Sequence, residues 1–214
     1  MSFCVTRDTG GSVRINGRPL DPRAWCLGQD DGASCVGSDL SATEAMAVIA
    51  KGTSLAHVVV GVIGPRDATP PQVETARAVG QALGGLGLTV ICGGRTGVME
   101  AVSAGVAASG GLVIGILPGS SPGEANPFVG IPLPTGLGEA RNMVIAKSAR
   151  VLIAVGGSYG TLSEVAYGLH FGKPVIGLEG APAVEGVQHA DTVDVGVELA
   201  MAALLASADR GPVA

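Results

Sequence analysis

The sequence predicts a three-layer α/β/α fold built on a doubly wound parallel sheet. Three observations predict it: short runs that are apolar on nearly every residue, longer segments between them with a 3.6-residue apolar period, and glycine-rich junctions where run passes into segment. Glycine accounts for 35 of the 214 residues without a three-residue repeat, so the excess belongs to tight turns and not to a collagen-like chain.

The first 50 residues stand apart from the rest. Residues 3–7 and 12–15 alternate loosely around Asp8-Thr9-Gly10-Gly11, which reads as a hairpin. After Asp30-Asp31-Gly32 a short helix is expected over 42–49, because Ser41 and Glu44 stand three apart as a capping box. This N-terminal extension, 1–50, is expected to act as an arm over a sheet edge or a neighbouring subunit, and 51–214 to form the main domain.

Within 51–214 the apolar runs are 55–64, 88–94, 112–118, 151–157 and 174–178, with TVDV at 192–195 as a weak last strand. Strands covered on both faces have this composition. Helices are expected over 71–83, 98–109, 138–149, 162–171 and 197–206, long enough for right-handed parallel crossovers. Thr69, the prolines at 70 and 71, and Gln72 mark the first of these starts.

Composition removes several function classes. The chain is 47% hydrophobic, 14% charged and carries a net charge of −5, which excludes disorder and argues against a basic nucleic-acid platform. No apolar stretch reaches the roughly 18 residues of a membrane span, and the N-terminus has no signal-peptide core. The four cysteines, at 4, 26, 35 and 92, form no CxxC pair, and His57, His170 and His189 are scattered, so no metal site is expected. Cytoplasm is the default location.

Two glycine-rich junctions carry the functional signal. Gly93-Gly94-Arg95-Thr96-Gly97 follows the second long run, and Gly156-Gly157-Ser158-Tyr159-Gly160-Thr161 follows the fourth. Each stands before a helix whose first N–H groups lack intrahelical partners and whose dipole favours an anion, so a phosphate-bearing ligand is expected. Gly64 closes the first run and Arg66 lies just beyond it, at the end of the sheet where such folds hold ligands. The spacing GVIGPR does not match a dinucleotide fingerprint, and neither junction has the lysine of a nucleotide loop.

Two charged residues border the fourth run. Glu164 stands three after Thr161, either as a capping-box carboxylate or as a functional carboxylate at the rim of the turn. Arg141 sits at the start of a helix, against the dipole preference, and is either a solvated surface residue or paired with an anion or carboxylate. The two could meet at the carboxyl edge of the sheet. Cys92 reads as a small core residue, since no histidine adjoins it in sequence.

The stretches GGRTGVMEAVSAGVAASGGLVIGILP and GEARNMVIAKSARVLIAVGGSYGTLSEVAYGLHFGKPVIGL resemble the Rossmann-like family once mislabelled lysine decarboxylase. It includes the LOG-type cytokinin riboside 5′-monophosphate phosphoribohydrolases and the molybdenum cofactor carrier proteins. The resemblance covers about 56–205 and implies a nucleotide-binding fold and a homodimer or homotetramer. In the hydrolase branch it puts hallmark glycines and threonine on Gly156, Gly157, Gly160 and Thr161, and the catalytic pair on Arg141 and Glu164. Val155 replaces a hallmark proline, Ala140 replaces an acidic residue, and the short connection from Glu164 to Gly172 is more similar to the carrier branch. Neither turn offers a lysine for a pyridoxal Schiff base, against the old label.

The leading expectation is therefore a carrier-type binding protein whose ligand is the molybdopterin cofactor or a nucleoside monophosphate. Its phosphate would be held by 93–97 and 156–161 with Arg141. The alternative is a hydrolase releasing base and ribose 5-phosphate without a required cofactor, Arg141 orienting the phosphate and Glu164 stabilising the ribosyl cation and placing the water. A structural protein with a vestigial pocket is the third reading.

Overall fold

The computed structural model describes residues 2–7, 12–30, 32, 35 and 39–209; the predicted turn at 8–11 and residue 31 lie outside them. A seven-stranded parallel sheet forms the centre. It is built from β5 (Val59–Ile63), β6 (Thr89–Cys92), β7 (Leu112–Leu117), β8 (Ile131–Pro134), β9 (Val151–Val155), β10 (Val175–Leu178) and β11 (Val187–His189). The spatial order is β11-β10-β9-β5-β6-β7-β8, so the chain leaves β5 in one direction and returns to its other side through β9. The switch point between β5 and β9 is where a doubly wound sheet opens a crevice.

Strand alternation divides the core in two. Val60, Val62, Val90, Cys92, Val113, Val151, Ile153 and Val155 face one side, packed with residues of α2 (Pro70–Gly85), α3 (Val98–Ala108) and α6 (Val193–Asp209). Ile63, Ile91, Ile116, Leu152, Ala154 and Val175 face the other, against α4 (Arg141–Ser148) and α5 (Tyr159–His170). Burial on both faces accounts for the near-continuous apolar runs of the sequence.

The helix starts follow local chemistry. At α2, Pro70 occupies the first position and Gln72 Oε1 accepts the Thr69 N–H at 3.0 Å. TVDV at 192–195, expected as a strand, instead opens α6: Thr192 Oγ1 accepts the Val195 N–H at 3.3 Å and Thr192 O accepts that of Gly196. Four residues are too few to separate a period of 2 from one of 3.6, and the capping hydroxyl decides.

The N-terminal segment forms a four-stranded antiparallel sheet, β1 (Val5–Arg7), β2 (Val13–Ile15), β3 (Arg18–Asp21) and β4 (Cys26–Leu27), followed by α1 (Ala42–Ala50) with the expected Ser41–Glu44 capping box. It shares the first core with α6. Trp25 is fully buried and donates its indole N–H to the Leu204 carbonyl at 2.8 Å. Glu198 of α6 accepts the Ala42 and Thr43 N–H groups at 2.6 and 2.9 Å, capping α1 from a distant element. Arg18 pairs with Asp209, and Cys4 and Cys35 form a disulfide for which their spacing gave no signal. Among the described residues no helix is long and apolar enough to cross a membrane.

Candidate functional site

A cavity of about 430 Å³ opens at the carboxyl ends of β5, β6 and β9. That volume suits a small ligand. Gly64, Pro65, Arg66 and Asp67 come from the loop after β5, Gly93 from the end of β6, and Gly157, Ser158, Gly160, Thr161 and Glu164 from the β9–α5 junction. Arg66, Asp67, Gly157, Ser158 and Gly160 are exposed at its rim, while Arg141, Asn142, Thr161 and Glu164 form a buried floor.

The floor holds the expected pair. Arg141 Nη1 donates to Glu164 Oε1 at 3.1 Å, with the two residues 6% and 5% exposed. Solvated arginine is thus excluded, and so is the capping-box reading of Glu164. The cap of α5 is Ser158, whose Oγ accepts the Thr161 N–H at 3.2 Å and also contacts Thr161 Oγ1 at 3.0 Å. Ser158–Thr161 and Thr161–Glu164 share the same spacing, and the serine, in extended conformation, takes the cap. The Tyr159 and Gly160 N–H groups open the helix and have no carbonyl four residues back within it.

Burial pushes the Glu164 carboxyl up to about 8, the Arg141 charge offsetting only part of the loss of solvation, with Glu139 adding to the rise. A carboxyl of this kind carries its proton at neutral pH and does not repel a neighbouring anion. The Arg141 guanidinium leaves Nε buried without a hydrogen-bond partner. Gly93 makes room for it: a Cβ there would come within 2.7 Å of Arg141 Nη2 and 2.6 Å of Met99 Sδ.

The other glycine turn is placed differently from the expectation. Gly64, Arg66 and Gly93 line the cavity, but Gly94, Arg95, Thr96, Gly97 and Gly156 do not. The Val98 N–H at the start of α3 donates to the Pro65 carbonyl at 3.1 Å, so the loop after β5 occupies that helix end. Gly97, at φ +69°, lies where a Cβ would collide with the Arg66 carbonyl. Gly94 turns under the site, its N–H on Cys92 Sγ at 3.3 Å, and Gly156 sits beneath Gln72. Tyr159, 93% exposed, does not line the cavity. Cys92 is fully buried, and burial raises its thiol pKa, as a core residue requires.

Several participants were not singled out from the sequence. Asn126, in the proline-rich stretch after β7, donates through Nδ2 to the Gly94 and Arg95 carbonyls at 3.2 and 2.9 Å and fixes their turn. Asp67, Met99, Glu139 and Asn142 line the cavity. Of these, Asp67, directly after Arg66, and Asn142, directly after Arg141, had a positional signal. Among the described residues no cluster of His, Cys, Asp or Glu suits a metal ion.

The fold and this cavity define a doubly wound, Rossmann-like α/β protein whose pocket lies at the switch point of its sheet. Residues 57–204 match the SLOG cluster4 family, LDcluster4, and the chain belongs to that family. It is similar to the molybdenum cofactor binding protein of Rippkaea orientalis, 37% identical with a TM-score of 0.65, over 68% of this chain and 96% of that one. The molybdenum cofactor carrier protein of Chlamydomonas reinhardtii is also 37% identical, TM-score 0.63, over 70% and 98%. An uncharacterized protein of Archaeoglobus fulgidus is 39% identical over 138 residues, 64% of this chain and 91% of that protein.

Proposed function

We propose that this protein is a carrier that binds the molybdenum cofactor, or a nucleotide-like ligand of the same kind, through its phosphate group. The observation that carries the reading is the Arg141 guanidinium, buried at the cavity floor with one donor unpaired. A ligand anion in the cavity lies in the field of that buried positive charge, and the opening N–H groups of α5 add to the same field. The similar molybdenum cofactor binding protein of Rippkaea and carrier protein of Chlamydomonas support the nature of the cargo. The test is retention: purified protein mixed with molybdopterin cofactor retains it saturably through gel filtration, and Arg141→Met does not. Failure of wild-type protein to retain it removes the carrier reading.

A second reading, LOG-type hydrolysis of a nucleoside 5′-monophosphate, is favoured by one observation. A carboxyl held protonated near neutrality beside an arginine is poised for proton transfer. Ribose 5-phosphate release from AMP, lost in Glu164→Gln, selects it; no release from several nucleoside monophosphates removes it. Self-association as a dimer or tetramer goes with both readings. It is supported by Leu133, Leu137, Met143, Leu162 and Tyr167, apolar side chains exposed on and around β8, α4 and α5. A cytoplasmic setting also goes with the carrier reading, and the Cys4–Cys35 disulfide is the observation that weighs against it.

A further inference from the structure

The amino end of the central sheet carries a group of cations that the cavity does not use. Lys147 lies in the last turn of α4, Arg150 directly precedes β9, and Lys173 stands two residues before β10. The Leu152 N–H donates to the Pro174 carbonyl at 2.9 Å, so the parallel register of Val175 with Leu152 carries back and sets Lys173 level with Arg150 on the neighbouring strand. Such strands run about 4.8 Å apart. Phe171, just after α5, joins the group: the Lys147 ammonium stands 5.7 Å from its ring centre, and the His170 ring meets it edge-on at 5.3 Å.

Two of the three lysines of the chain are gathered here, in a protein of net charge −5. None of the three cations forms an ion pair among the described residues. Glu185, two residues before β11, reaches the same end of the sheet without pairing with any of them. Arg150 donates one N–H to the Ala24 carbonyl at 3.1 Å, which fixes its side chain beside the strand ends. Arg150 and Lys173 are half-buried, and burial together with repulsion from Arg150 and Lys147 lowers the Lys173 pKa. A purely solvated face intersperses charges of both signs. Neighbouring cations that are partly buried without a counter-charge are unfavourable, and an anion from outside the chain removes the imbalance.

We propose that Lys147, Arg150 and Lys173, bordered by Phe171, form a docking surface for an acidic segment of a partner protein. Charge complementarity sets the sign of the partner, and the aromatic ring among the cations favours a polypeptide, whose apolar side chains it can meet, over a lone inorganic anion. The surface lies at the amino ends of strands whose carboxyl ends form the cavity. The five residues of β9, at about 3.3 Å each, separate the two by roughly 16 Å. A partner seated on this surface leaves the cavity open.

Fluorescence anisotropy with labelled hexaglutamate, a hexamer alternating Glu and Leu, and hexalysine tests it. The full-length protein binds both acidic peptides, the alternating one more tightly, does not bind hexalysine, and loses most of its affinity between about 50 and about 500 mM salt. Lys147→Glu combined with Lys173→Glu lowers the affinity at least about tenfold. Arg77→Glu, a reversal at an exposed position on α2 across the sheet, changes it less than about twofold. Lys173→Gln alone lowers it about two- to fivefold and keeps the proposal falsifiable if the double variant does not fold. No binding of the acidic peptides, equal losses in Arg77→Glu and the double variant, or unchanged affinity in folded Lys173→Gln overturns the assignment. Stronger displacement of the peptide by inorganic phosphate, a single-stranded oligonucleotide or phosphatidylserine vesicles than by unlabelled peptide overturns it as well. So does self-association that the double variant abolishes, because a second copy of the chain then occupies the surface.

Discussion

Replacing Glu164 by glutamine alters the pH dependence of stability in a direction the site fixes. The carboxyl moves from 4.5 in the open chain to about 8 in the fold. Between those values the folded protein holds a proton that the unfolded chain has released, so stability falls as pH rises. The favourable contribution is complete below the lower value and is lost as pH passes the upper one. A displacement of this size corresponds to an upper bound of roughly 5 kcal/mol, at about 1.4 kcal/mol per pH unit. Glutamine has nearly the same shape, still offers an oxygen to Arg141 Nη1, and does not ionise. Urea unfolding of both proteins at intervals from pH 5 to pH 9 reads the difference directly, since titrations common to both cancel. The two proteins have similar stability near pH 5, and the variant gains from there up to about pH 8, leading by several kcal/mol at pH 9. A difference that stays flat across this range, or that grows in favour of the wild type, refutes the account of a carboxyl kept neutral by burial.

The same ionisation acts on binding. Affinity for inorganic phosphate falls as pH rises through about 8, because Glu164 then places a negative charge beside the anion, and Glu164→Gln flattens that profile in calorimetry. Gly93→Ala drives a methyl into Arg141 Nη2 and Met99 Sδ, costing about 1–3 kcal/mol in urea unfolding and phosphate affinity with it. Gly97→Ala combines the strain of its positive φ with collision against the Arg66 carbonyl and lowers stability by roughly 1–3 kcal/mol or more, read in the same assay. Trp25→Ala empties a fully buried position and frees the Leu204 carbonyl, lowering the stability of the whole protein by about 3–5 kcal/mol in a single transition; a separate early transition would contradict the shared core.

The central strands and their helices were legible in the sequence because double-sided burial leaves a composition that solvent-facing strands lack. β8 was not. Its residues, Ile-Pro-Leu-Pro, carry two prolines and are mostly exposed, which the structure accommodates because β8 is an edge strand paired only with β7. β11 has three residues, too few for any period to register. At the site, Arg141 and Glu164 were found because each broke a local rule: a cation at a helix start, and a carboxylate beside an anion-seeking turn. The closure of the 93–97 turn by Pro65 and Asn126 was not foreseeable, since both partners come from loops whose courses depend on tertiary packing. The Ser158 cap was hidden by the equal spacing of the next threonine and glutamate.

The footing of the N-terminal sheet on α6 has a consequence for how the two ends of the chain constrain each other. The similar cofactor-binding structure from Rippkaea is matched over 68% of this chain but 96% of its own, so most of its architecture is reproduced here by a core to which this protein adds further chain. A protein that acquires such an addition must recolour the surface that receives it. Met201, Leu204, Leu205 and Ala208 line one continuous buried cluster with Val13, Ile15, Leu20 and Trp25. Shorn of residues 1–50, the polypeptide would present that greasy flank to water, and the trimmed form would clump more readily than the intact one.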